Sequence, residues 1–239
     1  MQIVEEGVPS VLISIHIPKT AGTSVRRMTE SIPVDAFYYA YASHPEAGLH
    51  LRNDGDIQRQ VRFWDKKVQK FVTGGEALVK SILIHGHVLA SDYLPAVPNA
   101  NFMTWVRDPV QRLASHYYFW RKMEYPFDPD WKEFSESKWS LAEFATHPKH
   151  RNLHAKYLAG LDIERMRFVG VVERFEESLR RFRRIFGVDV AQNLVGDNRN
   201  PDKKEQTWPI SADVEQEIRQ VNQLDCEIYD RALAMIERV

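Results

Sequence analysis

Three groups of residues have the types and spacing to act on an anionic substrate. The first is His16-Ile17-Pro18-Lys19-Thr20-Ala21-Gly22-Thr23-Ser24. Lys19 brings a full positive charge, Thr20, Thr23 and Ser24 bring hydroxyl donors, and Gly22 permits close backbone approach. Between a strand and a helix, the N–H groups and dipole of the helix start complete a cradle for a phosphate-like group, with Ala21 and Gly22 contributing through the backbone. The pattern differs from G-x-x-x-x-G-K-[ST]: Pro18 precedes the lysine, and the lysine comes before the glycine. The second group is His85-Gly86-His87. Alternate residues of an extended chain share a face, and histidine suits general-base work near neutral pH. Metal binding by His85 and His87 lacks a third ligand; a structural role is the other alternative, and His16 reads as a packing residue. The third is Arg107-Asp108, where an arginine at a strand end meets a helix start. Arginine is a good bidentate phosphate partner; the plainer alternative is a surface Arg–Asp pair.

These residues need strands that end beside one another. Residues 10–17, 81–88, 101–106 and 167–173 read as four buried strands. Helices are predicted at 23–32, 57–72, 109–122, 150–159, 175–186 and 211–237. Asp108 and Pro109 form a helix start, Ser140 and Glu143 a capping box, and Gly160 and Gly187 helix stops. Residues 18–22, 124–139 and 189–210 are predicted to be irregular. Strands alternating with helices imply a three-layer α/β fold, a central parallel sheet flanked by helices, with ligands at the carboxyl ends of the strands.

Composition narrows the class. A chain of 239 residues suits a single α/β domain over 1–239. The net charge of −1 gives no reason to expect a nucleic-acid partner, so any anion site is local. One cysteine, Cys226, excludes an internal disulfide and reads as a small core residue. With no signal-peptide pattern and no long apolar run, a cytoplasmic protein without a membrane span is expected.

The motifs resemble a known family. H-I-P-K-T-A-G-T-S at 16–24 resembles the 5′-phosphosulfate-binding loop of the Golgi-type carbohydrate sulfotransferases. W-V-R-D-P-V-Q-R-L-A-S-H-Y-Y at 105–118 resembles their 3′-phosphate-binding segment. I-H-G-H-V at 84–88 makes the motifs most similar to the uronyl and heparan-sulfate 2-O-sulfotransferases. Weaker echoes are N-L-H-A-K-Y-L-A-G at 152–160, F-V-G-V-V-E-R-F-E-E-S-L at 168–179 and N-x-x-D-x-x-I-Y-D at 222–230. The resemblance runs from about residue 11 to 231. It is expected to depart from those relatives in lacking their anchor and stem and in being shorter. Residues 35–56 and 124–150, the regions expected to hold the acceptor, carry no recognisable motif.

The resemblance implies a P-loop-like fold and transfer of a sulfuryl group from 3′-phosphoadenosine 5′-phosphosulfate (PAPS) to a hydroxyl of a carbohydrate-like acceptor, with no metal. Lys19 would serve the leaving group and the 5′-phosphate, wrapped by Thr20, Ala21, Gly22, Thr23 and Ser24. Arg107 and Ser115 would bind the 3′-phosphate; Ser115 read alone is equally a small packing residue. His87 would be the base and His85 a second participant. Arg199, Lys203 or Lys204 would touch the nucleotide from a loop resembling the one that closes over the cofactor. Arg180, Arg181, Arg183 and Arg184 read as a polar helix face able to meet an anionic glycan. Two other readings compete: a nucleotide-dependent kinase or NTPase using the 18–24 loop, and a non-catalytic nucleotide-binding module.

Overall fold

The computed structural model describes residues 10–40, 48–51, 81–95, 97, 99–124, 129–190 and 207–238. The predicted helix at 57–72 and the loop residues Arg199, Lys203 and Lys204 lie outside the described residues.

The described residues build a sheet of β1 (Ser10–Ile15), β2 (Ala36–Ala40), β3 (Gly48–Leu51), β4 (Ser81–Gly86), β5 (Asn101–Val106) and β6 (Phe168–Val171). The spatial order is β3-β2-β4-β1-β5-β6. β2, β4, β1, β5 and β6 run parallel, and β3 pairs antiparallel with β2 at one edge. The fold is thus the expected P-loop-like α/β arrangement, with two more strands than the four predicted. β2 and β3 escape a hydropathy reading because A-F-Y-Y-A and G-L-H-L are short and lack a β-branched apolar run.

Both sheet faces are covered, which explains why the central strands read as continuous apolar runs. On one face Val11, Ile13, Ile15, Ile82, Ile84, Val169 and Val171 pack against Tyr229, Ala232 and Ile236 of a C-terminal helix. On the other, Leu83, Met103, Trp105 and Phe168 meet Val25 and Met28 of α1 (Gly22–Glu30). Leu179 and Phe182 of a later helix, Phe175–Phe186, pack there too. Gly170 lets β6 pass directly under the Trp105 indole, since a Cβ there would sit 2.7 Å from its Cε2. A short helix, α2 (Ala90–Tyr93), follows β4.

A helical layer extends from β5. It holds α3 (Pro109–Lys122), α4 (Pro129–Ser137), α5 (Leu141–Thr146) and α6 (Leu153–Tyr157). The remaining helices are α7 (Phe175–Phe186), α8 (Ala212–Val221) and α9 (Gln223–Glu237). Val110, Leu113 and Tyr117 of α3 pack with Phe134, Phe144 and Ile218 in a core separate from the sheet's. Within the stretch expected to be irregular at 124–139, α4 is a correction: Phe134 is buried from that helix, with Trp131 and Trp139 packed around it. The single helix expected at 211–237 is broken at Asn222, whose side chain bonds back to the Ile218 carbonyl at 2.8 Å.

The caps follow the predicted chemistry. Asp108 Oδ1 accepts from the Gln111 N–H at 3.0 Å with Pro109 behind it, Ser140 and Glu143 form the capping box, and Gly187 ends α7 at φ 66°.

Candidate active site

The parallel registers set Ile15, Gly86 and Thr104 side by side. The Thr104 hydroxyl donates to the Ile15 carbonyl at 2.9 Å, and the His16 N–H donates to Gly86 O at 2.8 Å. β1 and β4 therefore end level, and β5 runs on past them to Val106. The residues just past the three strands, His16, His87 and Arg107, meet at the carboxyl edge, where open α/β sheets bind ligands.

The loop after β1 is held in an uncommon shape. Lys19 has φ 72° and Ala21 φ 63°, both left-handed. Each such non-glycine residue costs on the order of 1–3 kcal/mol and persists where its surroundings enforce it. Alternating left-handed residues turn successive N–H groups inward, the arrangement of an anion nest. The Thr20 hydroxyl closes the loop by donating to Ile17 O at 2.8 Å. Ala21 offers α1 no capping side chain, and the first turn carries no acid, so the helix start is left for a ligand. Gly22 is required, because a Cβ there would collide with the His16 imidazole. Thr23 is exposed and Ser24 is buried.

Two cations define the electrostatics. The Arg107 Nη1–H donates to the Lys19 carbonyl at 3.2 Å, tying the end of β5 to the loop. The Arg107 Nε makes no hydrogen bond, with only a 3.7 Å approach to Glu173. Burial, then the nearby Arg107 charge, lowers Lys19 from its ordinary 10.5 to about 8. The Lys19 ammonium lies 3.6 Å over the Phe119 ring, a contact worth about 0.5–2 kcal/mol.

Three histidines stand beside this pair. His85 is wholly buried on β4, and its Nδ1 lies 2.9 Å from the Ser14 hydroxyl. His16 stacks on His85 at 5.6 Å between ring centroids and meets His87 at 4.7 Å with the rings tilted by 44°. Desolvation takes His85 to about 3, and it also lowers His16, assisted by His87, His85 and Lys19. His87 is lowered to about 4 by desolvation, although its ring reaches solvent. That lowering favours the neutral imidazole at pH 7. His85 and His87 thus do not stand equivalently. One is internal, and the other faces out beyond the strand end.

Ser115 is half-buried on α3, beside His116. His116 is close enough to Lys19 and His87 for their charges to weigh on it, after burial and Arg112. Arg180, Arg181, Arg183 and Arg184 all lie on α7. Among the described residues no group of three or more His, Cys, Asp or Glu side chains gathers for a metal, and no helix is long and apolar enough to cross a membrane.

Several site residues were not singled out from sequence. Glu173 Oε2 accepts from the Asp108 N–H at 3.2 Å while its other oxygen faces Arg107. Gln111 is bonded in both directions to the Trp208 backbone, at 3.2 and 2.6 Å, and Trp208 stacks on Tyr118 at 4.3 Å. The three weaker echoes of the sequence hold Glu173, His154 and Asp225, which was the available signal.

A sulfotransferase family model matches residues 8–230, a span that includes every site residue described above. The chain belongs to the sulfotransferase family. It is 29% identical over 125 residues to heparan sulfate 2-O-sulfotransferase 1 of Cricetulus griseus and, equally, to that of Cricetulus longicaudatus. Each match covers 49% of this chain and 31% of the relative, so the match spans about a third of those relatives' length. A solved sulfotransferase from Alicyclobacillus acidocaldarius is similar at 17% identity and TM-score 0.48, covering 96% of both chains. Mouse sulfotransferase SULT7A1 complexed with PAP is similar at 14% identity and TM-score 0.44, covering 91% of this chain and 66% of that one.

Three histidines of the site, His16, His85 and His87, predict the response of this sulfotransferase-family chain to acid. Each binds a proton less readily folded than unfolded, where the ordinary value is about 6.5. The stability this gives is complete above pH 6.5 and is lost as pH falls through about 4 and 3. Urea midpoints between pH 7.5 and 4.5 should therefore fall less steeply for His85→Asn than for the unaltered protein. Equal slopes would contradict the assignment of His85 as a buried neutral ring.

Proposed function

We propose that this protein transfers the sulfuryl group of PAPS to a hydroxyl of a carbohydrate-like acceptor. The observation that carries the reading is the bond from Arg107 to the Lys19 carbonyl beside the His16–His87 contact. It gathers two cations and an outward-facing imidazole at three adjacent strand ends.

The residues fit such a donor. A cationic pair of which the lysine is already driven toward neutrality favours anionic oxygens, and the Arg107 Nε is an unused buried donor. The loop N–H groups, Lys19, Thr23 and Ser24 would hold the 5′ side, and Arg107 with Ser115 the 3′-phosphate. Arg199 and Lys203, outside the described residues, are proposed as further nucleotide contacts. Bound, the donor supplies a sulfuryl group on a phosphate leaving group.

The chain's own part is positioning and proton handling. By analogy with phosphoryl transfer, the reaction passes through a loose, in-line transition state in which charge grows on the leaving oxygen. Lys19 neutralises that charge. His87 takes the acceptor hydroxyl proton on an imidazole nitrogen. A neighbouring anion raises the basicity of His87 from its lowered value, so the ring becomes a better base when the donor is present. His85, bonded to Ser14 behind His16, acts as support for that ring stack. Half-exposed Phe119, next to Lys19, and Leu89, two residues past His87, give an acceptor sugar apolar surface. The heparan sulfate named in the two relatives favours a glycan.

Thermal shifts test the donor. 3′,5′-ADP at about 100 times its dissociation constant should raise the Tm by roughly 5–11 °C. 5′-ADP should raise it less, and Arg107→Ala should remove the difference. A shift confined to ATP with magnesium would favour a kinase or NTPase instead.

The base has its own test. His87→Ala should keep 3′,5′-ADP binding and lose about two to four orders of magnitude in transfer rate. Normal turnover would exclude His87 as the base, and binding without transfer to any hydroxyl by the unaltered protein would favour a non-catalytic module.

A further inference from the structure

We propose that His154 and Asp225 form a buried relay that positions Arg107, and so sets selectivity for a 3′-phosphate; this deepens the function proposed above and rests on it. The Arg107 backbone N–H donates to His154 Nε2 at 3.5 Å, across 47 positions of chain. His154 Nδ1 lies 3.2 Å from Asp225 Oδ2, close but off the line of a straight hydrogen bond. Both side chains are completely shielded from solvent.

The contacts define the proton arrangement. Because Nε2 accepts from Arg107, a neutral His154 carries its proton on Nδ1, toward the carboxylate. Asp225 is itself clamped. Its Oδ2 accepts from the His154 N–H at 3.1 Å and its Oδ1 from the Ala155 N–H at 2.9 Å, so it caps α6 from α9. Burial alone would raise the Asp225 carboxyl, but its neighbours His154 and Arg112 and the Ala155 N–H outweigh it and hold it below its ordinary range. On the flank, Asn222 Oδ1 accepts from the Asn152 N–H at 2.8 Å, and Asn152 Nδ2 donates to Val221 O at 3.3 Å.

Capping does not require the imidazole. In this chain α3 and α5 are capped by their own Asp108 and Ser140. Burying a carboxylate with a histidine carries a desolvation cost that a local cap avoids. What the pair adds is reach: a ring that spans from the α6–α9 contact to the one backbone N–H preceding Asp108. The Lys19 carbonyl and Glu173 set the guanidinium end of Arg107, and the relay sets its main chain. His154 and Asp225 are positioning residues; neither is placed to touch a reacting atom.

The test is the ratio of affinities for 3′,5′-ADP and 5′-AMP, by calorimetric titration of the full chain. The unaltered protein should prefer 3′,5′-ADP. His154→Ala and Asp225→Asn should cut that preference by about tenfold, the scale of one lost hydrogen bond to a charged site, with 5′-AMP affinity nearly unchanged. His154→Gln, which keeps an acceptor near the Nε2 position, should restore most of it. In transfer assays the donor KM should rise while kcat at saturating donor stays close to normal. An unchanged ratio in folded variants, or an equal loss for both nucleotides, overturns the relay. Failure of all three variants to fold makes the pair a folding element and likewise overturns it. Absence of any preference in the unaltered protein overturns the Arg107 reading, and the relay with it, before a variant is made.

Discussion

Two like charges are held together here by a bond that neither charge makes with the other. Arg107 donates to the backbone carbonyl of Lys19, so the guanidinium approaches the lysine's main chain while the ammonium lies over Phe119. The result is a concentration of positive charge at a helix start in a protein of net charge −1. Repulsion and burial push the lysine toward deprotonation, and an anion relieves both. Most of the fold around the site can be understood as what keeps this unfavourable arrangement in place.

The sheet supplies the first restraint. The register of β4, β1 and β5 fixes the takeoff points of His87, the loop and Arg107. Gly86 belongs to that restraint, since a Cβ there would lie 2.9 Å from the Ala40 Cα and closer still to its carbonyl. The left-handed Lys19 and Ala21 then bend the loop, and His16 packs where Gly22 leaves room. The helical layer supplies the second restraint. Arg219 bonds Asp108 Oδ2 at 2.9 Å, Glu173 takes the Asp108 N–H, and Gln111 ties α3 to Trp208. The turn at Arg107 is thereby fixed from α8, from the end of β6 and from its own helix.

Much of this was legible in the sequence because it is local. The β-branched runs announced β1 and β4, and the Asp108-Pro109 pair announced α3. What was illegible depends on distance along the chain. Nothing local in A-F-Y-Y-A marks a strand; its place is set by pairing with β4 across more than forty residues. The aromatic stretch holding α4 is polar enough to read as irregular, and its helix forms because Phe134 finds Tyr117 and Phe144. His85 and His87 share a tripeptide, yet only the end of β4 decides that one is internal and the other exposed. Asp225 sits 71 positions from the histidine it faces, and no spacing rule connects them.

The account turns on Lys19 being a strained cation awaiting an anion, and its titration measures that directly. The protein would be labelled by reductive ¹³C-methylation, with Lys19→Arg used to assign the resonance. Its pH titration would then be followed by NMR with and without 3′,5′-ADP. The account predicts a midpoint of about 8 in the unliganded protein and a clear rise toward the ordinary lysine value on binding. A midpoint already near 10.5 without ligand, and unmoved by 3′,5′-ADP, would show that Lys19 neither feels Arg107 nor meets the nucleotide, and would contradict it.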